Sequence, residues 1–194
     1  PAAPRAPQRA SSGRPSPEGS RPPAPSRPAC PSPTVRRPLI FLDVDGVLHS
    51  ATGAHVSFEA ECMQALASIV RETDAEIVLS SSWRLWPKSS GRRAVDAALL
   101  RYGLDKTVGE TPSGDHLQGR PDEIRAWLRE QCGSEGLVRW IVLDDLDMSL
   151  DLGEHLLQTD PELGLTDNDV DEAIELLHQP QGTRLLPGTP SRAT

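Results

Sequence analysis

Leu39-Ile40-Phe41-Leu42-Asp43-Val44-Asp45-Gly46-Val47-Leu48 is the stretch on which the fold turns. Its first four residues are all apolar, the pattern of a strand buried on both faces. The run leads directly into two acids two residues apart and a glycine. The same pattern recurs downstream: Ile77-Val78-Leu79 leads into Ser80-Ser81-Ser82-Trp83, and Trp140-Ile141-Val142-Leu143 into Asp144-Asp145. Helical spacing fills the intervals. Met63, Leu66, Ile69 and Val70 predict a helix over about 57–72, and Val95, Ala98 and Leu99 one over 92–101 that stops at Gly103. A third follows Arg120, with Pro121 at the first helical position and Asp122 and Glu123 in the first turn. Thr166 caps a last helix whose core face carries Val170, Ala173, Ile174 and Leu177. Weaker strands are expected at Lys106-Thr107-Val108 and near Leu156-Leu157. Strands alternating with helices predict an α/β fold with a doubly wound parallel sheet. Ligands of such sheets bind beyond the carboxyl ends of the strands.

Composition divides the 194 residues into a body and its flanks. Residues 1–38 hold twelve of the 19 prolines and seven arginines against the single Glu18. The rest carries 13 Lys and Arg against 27 Asp and Glu, a net −14. The organisation expected is a disordered Pro/Arg-rich leader over 1–38, one domain over 39–179 and a disordered tail over 180–194. The body is long enough to bury roughly two thirds of its unfolded surface, which excludes a disulfide-stapled miniprotein. The chain holds no apolar run of membrane-spanning length. Cys30, Cys62 and Cys132 have no zinc spacing and suggest a reducing compartment. The leader is Arg-rich, but its prolines forbid a transit helix and it has no apolar signal core, so a cytoplasmic location is expected. An acidic body binds polyanions poorly on its own, whereas the leader could recruit a protein or a nucleic acid. Pro22-Pro23-Ala24-Pro25 is of the kind that docks in aromatic grooves. A monomer is expected.

Three strands end in functional groups at one edge. Asp43 and Asp45, just past a buried strand, repel each other and lose hydration, and a cation would relieve both. Gly46 lets the chain turn away so that both carboxylates can meet one ligand. With Asp144 and Asp145 at the same edge they form a hard-oxygen site suited to Mg²⁺, an ion that keeps waters for a phosphate to displace. Ser80 offers a hydroxyl to a phosphoryl oxygen. Arg120 offers a guanidinium beside a helix N-terminus, so charge and dipole point the same way. Ser81, Trp83 and Arg84 are the candidates for contacting the rest of the substrate. Trp83, Arg84 and Trp86 could form a base-stacking platform with a cation beside it, or the tryptophans pack against a neighbouring helix.

The phrases IFLDVDGVL (40–48), IVLSSSWR (77–84), RPDEIRAWL (120–128) and IVLDD (141–145), with GLT (164–166), resemble in order and strand-end position the four motifs of the haloacid dehalogenase (HAD) superfamily. Within it the chain is similar to the HAD domain of Swiss Army Knife RNA repair-like proteins. The resemblance spans about 39–178 and implies a Rossmann-like core and a Mg²⁺-dependent phosphomonoester hydrolase. It makes Asp43 the nucleophile that forms an aspartyl-phosphate and Asp45 the acid–base partner. It has Mg²⁺ held by Asp43, the Asp45 carbonyl and Asp145 or Asp144, and the phosphoryl oxygens held by Ser80 and Arg120. Relatives more often carry lysine where this chain has Arg120, and Lys106, Arg92 and Arg93 are other cations that could serve. Asp at position 45, instead of Thr or Ser, fits phosphatases and not dehalogenases. Only 34 residues separate Asp45 from Ser80 and 39 separate Ser80 from Arg120. Neither interval has room for a sizeable cap domain, so the site should be open to a bulky phosphorylated substrate, a nucleic-acid end or nucleotide phosphate being favoured. The rivals are a non-catalytic HAD scaffold that recruits partners, and a phosphotransferase.

Overall fold

The computed structural model of the chain describes residues 36–52, 57–115 and 117–179. The disordered tails expected from composition lie outside these residues, apart from Arg36, Arg37 and Pro38. Arg37 is tied to the body: its Nε donates to the Asp74 carbonyl at 2.8 Å and its guanidinium pairs with Asp74 at 2.8 Å and Glu76 at 3.3 Å.

Five parallel strands form one sheet. They are β1 (Leu39–Leu42), β2 (Glu76–Leu79), β3 (Gly109–Glu110), β4 (Trp140–Asp144) and β5 (Leu156–Gln158), in the order β3-β2-β1-β4-β5. Leu39 pairs in register with Glu76 on one side and Trp140 on the other. The chain winds outward from β1 through β2 to β3, then returns to place β4 on the far side of β1. The strand order therefore reverses between β1 and β4, and such a switch point opens a crevice at the carboxyl ends. Asp43 and Asp144 stand there.

The helices are α1 (Ala60–Thr73), α2 (Ser90–Arg101), α3 (Arg120–Cys132), the single turn α4 (Ser149–Leu152) and α5 (Asp167–His178). Alternation along β1 distributes them. Ile40 and Leu42 enter a core with residues of α1, α2 and α5, whereas Leu39 and Phe41 enter a second core with Ile124 and Leu128 of α3 and Leu152 of α4. Phe41 lies edge-on between Trp127 and Trp140, with ring centroids 5.5 and 5.8 Å away; such pairs add about 0.5–1.5 kcal/mol each beyond area burial. Thr166 caps α5 as expected, its hydroxyl bonding Asp169 at 2.8 Å in a reciprocal capping box.

Two boundaries differ from the sequence reading. The third strand starts at Gly109, not at Lys106, because α2 claims the polar groups of Thr107. Arg92 donates to its hydroxyl and carbonyl, while Asp96 accepts its N–H and hydroxyl. Residues 57–59 are not helical: the Glu59 N–H is held by the Leu48 carbonyl at 2.8 Å, and α1 begins one residue later. Among the described residues, the link from β1 to α1 carries no further helix or named strand. No helix among them is long and apolar enough to cross a membrane.

Candidate active site

The crevice is built from strand ends inward. Asp43 is 4% exposed and continues the β1–β4 ladder, its N–H donating to the Leu143 carbonyl at 3.0 Å. Asp144, the last residue of β4, is fully buried. The Arg120 Nη1 donates to a carboxylate oxygen of each. Arg120 is the first residue of α3, so the sequence pattern of Pro121 and first-turn acids is what aims a guanidinium at the switch point. Of the other cations that could have filled this place, Arg92 is held by Thr107 and Arg93 by the Lys88 carbonyl.

Asp43, Asp144 and Asp145 each offer a carboxylate oxygen within 4.8 Å of the others. The chain closes tightly around them. Gly46 has φ +73°, and a Cβ there would stand 2.5 Å from Asp145 Cγ, so only glycine allows the first turn to approach Asp145. Thr159, just past β5, fixes the same turn by donating to the Gly46 carbonyl at 2.7 Å. Three acids therefore gather beside Arg120, the cation among the described residues that bonds two of them. Burial, helped by the negative charge of Asp43 and opposed by Arg120, pushes the Asp144 carboxyl up to about 6. Burial and the charge of Asp43 also push Asp145 upward. Burial works against the Arg120 guanidinium, but Asp43 and Asp144 more than offset it and its pKa rises. A compact set of hard oxygens with excess negative charge fits a small divalent cation, which would relieve that repulsion.

The Asp45 carboxylate stands apart from this cluster. The Trp83 indole N–H donates to both its oxygens at 3.1 and 3.0 Å, and His49 Nε2 lies 3.2 Å from Oδ1. Its side chain remains 44% exposed, open to an incoming group. The metal contact expected of Asp45 was by its backbone carbonyl, and nothing brings its side chain into the acidic cluster. Ser80 follows β2 with its Oγ shut from water and without a partner among the described residues, and a buried hydroxyl left so calls for an explanation.

A match to a family model described as the HAD domain in Swiss Army Knife RNA repair proteins covers residues 39–170. The chain belongs to this family. No match was found among curated proteins or among solved structures. Membership places the chain in a superfamily of phosphatase-type hydrolases whose members typically use a metal.

The structure places Ser81, Trp83 and Arg84, the expected substrate contacts, in the wall of the site. Ser81 is buried and caps the turn that follows, its Oγ accepting the Trp83 N–H at 3.3 Å. Trp83 is 3% exposed, packed among Phe58, His49 and Trp86, so its ring is no open platform. Arg84 is 7% exposed and braces the site, bonding the Ser81 carbonyl at 2.7 Å and Glu123 at 2.6 Å. This links the end of β2 to the first turn of α3, where Arg120 sits. Sequence reasoning missed His49, Thr159 and Glu123. A signal existed for His49 alone: its i,i+4 spacing from Asp45 across the Gly46 turn brings it back onto that acid.

Proposed function

We propose that this HAD domain is a Mg²⁺-dependent phosphomonoester hydrolase that works through an aspartyl-phosphate on Asp43, with a nucleic-acid end or nucleotide phosphate as favoured substrate. The observation that carries the reading is the convergence of Asp43, Asp144 and Asp145 beside Arg120 at the switch point. Asp43, Asp145 or Asp144, and the Asp45 carbonyl would hold Mg²⁺, which when bound screens the acids from a phosphate and withdraws charge from its oxygens. Ser80 and Arg120 would bind the phosphoryl oxygens, donors already placed where charge develops.

The chemistry then follows from the two acids. An Asp43 oxygen attacks phosphorus, the bond to the leaving oxygen breaks, and Asp45 gives that oxygen its proton. Water attacks the aspartyl-phosphate, returns a proton to Asp45, and the bond from phosphorus to the Asp43 oxygen breaks. Proton transfer by a placed side chain contributes about 10²–10⁴-fold. Trp83 and His49 support that role by holding Asp45 apart from the acidic cluster while its side chain stays partly exposed. The absence of a cap among the described residues supports a bulky substrate, and the family description supports a nucleic-acid end.

The test is release of inorganic phosphate, with and without Mg²⁺, from an aryl phosphate, nucleotides and 3′- or 5′-phosphorylated oligonucleotides. Turnover that needs both Mg²⁺ and Asp43 supports the proposal. Turnover that survives Asp43→Asn overturns the mechanism, and absence of turnover in the folded wild-type chain overturns the phosphatase reading.

A further inference from the structure

The segment between β2 and α2 differs from the rest of the surface. From Trp83 into the first turns of α2 at Val95 the chain carries Arg84, Lys88, Arg92 and Arg93 and no acid, in a body whose net charge is −14; Arg84 is taken by Glu123 and Arg92 by Thr107, which leaves Lys88 and Arg93 as the exposed cations. It also holds a row of rings that starts at the reacting acid. His49 and Trp83, both bonded or paired to Asp45, lie 5.9 Å apart by centroid. Trp83 is stacked on Trp86 at 4.3 Å and 18°. Trp86 is the outermost ring and is 39% exposed, in contrast to Trp83. Leu85, Pro87, Lys88 and Ser89 around it are exposed as well. The turn beside it is held in an unusual shape, with Lys88 and Ser89 both left-handed at φ 57° and 55°, a conformation that side chains adopt at a cost.

The direction of this row is informative. Asp45 protonates the leaving oxygen in the mechanism above, so the leaving group departs on the side of Asp45. Trp83 bonds Asp45 and stacks on Trp86, so the row runs from the acid that serves the leaving oxygen to an exposed indole. A leaving group larger than a simple alcohol that extends along this row would reach Trp86. An exposed indole takes any planar base, and neighbouring cations meet the backbone phosphates that follow it.

We propose that the outer face of Trp86 stacks the terminal unpaired base of a single-stranded nucleic acid whose end phosphate reacts at Asp43, with Lys88 contacting the next phosphodiester. This rests on the phosphatase reading and narrows it to single-stranded ends. Trp86 and Lys88 thus take the roles that the buried Trp83 and paired Arg84 do not fill.

The test is binding, read by fluorescence anisotropy of labelled probes with the whole chain carrying Asp43→Asn, with Mg²⁺ present, so that the phosphate is not removed. The probes are a short end-phosphorylated single strand, the same strand with an abasic terminal nucleotide, and a phosphoserine peptide. Stacking predicts that removing the base, or adding Trp86→Ala, weakens binding of the strand by about 5- to 150-fold. The two losses should not add, and Trp86→Phe should recover most of the affinity. Lys88→Gln should flatten the salt dependence by roughly 0.7 in log–log slope, the share of one phosphate contact on a single strand. Equal affinity for base-bearing and abasic strands, an undiminished Trp86→Ala, tighter binding of the phosphopeptide, or no binding of the strand would each overturn the proposal. Phosphate release by the wild-type chain separates the two readings: base-dependent binding without release retains the platform and removes the phosphatase, and release without base dependence does the reverse.

Discussion

Asp43 and Asp144 share one guanidinium nitrogen of Arg120, and Asp144 is fully buried. Burial outweighs the pull of Arg120, so the Asp144 carboxyl is raised to about 6 in the fold from its ordinary value of 3.8. A carboxyl raised on folding binds its proton more tightly in the native state, so stability falls as pH rises through the window between the two values. The stability of wild type relative to Asp144→Asn in metal-free buffer should therefore be highest near pH 4, decline to about pH 6 and then level off. Urea midpoints of the two proteins across that range check it, and a difference that rises over the window would contradict it. At this scale the acids were legible because each closes an apolar run: a carboxylate there has nowhere to go but the crevice. The roles of Trp83 and Arg84 were not legible, because they depend on partners far away in sequence. Phe58 packs on Trp83, Gly91 of α2 approaches the Trp83 carbonyl so closely that a Cβ would stand 2.1 Å from it, and Glu123 holds Arg84.

The element that gathers the acidic cluster is the turn after β1. It is closed by Gly46 donating to the His49 carbonyl at 2.8 Å and by Thr159 reaching the Gly46 carbonyl. Gly46→Ala meets a left-handed backbone and the side chain of Asp145 together. The left-handed conformation alone costs about 1–2 kcal/mol, and displacing Asp145 should lower Mg²⁺ affinity as well. Chemical unfolding and calorimetric titration with Mg²⁺ check the two effects, and an unchanged affinity would show that Asp145 is not a ligand. Elements were legible where apolar periodicity was complete, as in β1, β4 and α5. They were not where side chains compete for the backbone: Thr107 satisfies all its polar groups on Arg92 and Asp96, and β3 starts beyond it.

Across the described residues, two cores on opposite faces of the sheet hold β1 and β4 side by side, and the charge they bring together at the strand ends is met by the guanidinium of Arg120. An ion that binds only the folded chain stabilises it by mass action, about 2.7 kcal/mol at a hundredfold excess over Kd. The melting temperature should rise with Mg²⁺ in wild type and much less in Asp145→Asn, as followed by thermal denaturation. The doubly wound parallel sheet was legible from strand–helix alternation, whereas the division of labour along 82–90 was not, since exposure separates Trp86 from Trp83 and exposure is a property of the whole fold. The central claim is that Asp43 attacks phosphorus while Asp45 serves the leaving group and the water. Asp45→Asn incubated with an aryl phosphate and Mg²⁺, quenched in acid and digested, tests it most directly by mass spectrometry. An aryl group leaves without needing a proton, so the intermediate should form and, without Asp45 to activate water, persist. The account predicts one phosphoryl group on the peptide that contains Asp43 and none when Asp43→Asn is added. Phosphate released with no such adduct, or an adduct on another residue, would contradict it.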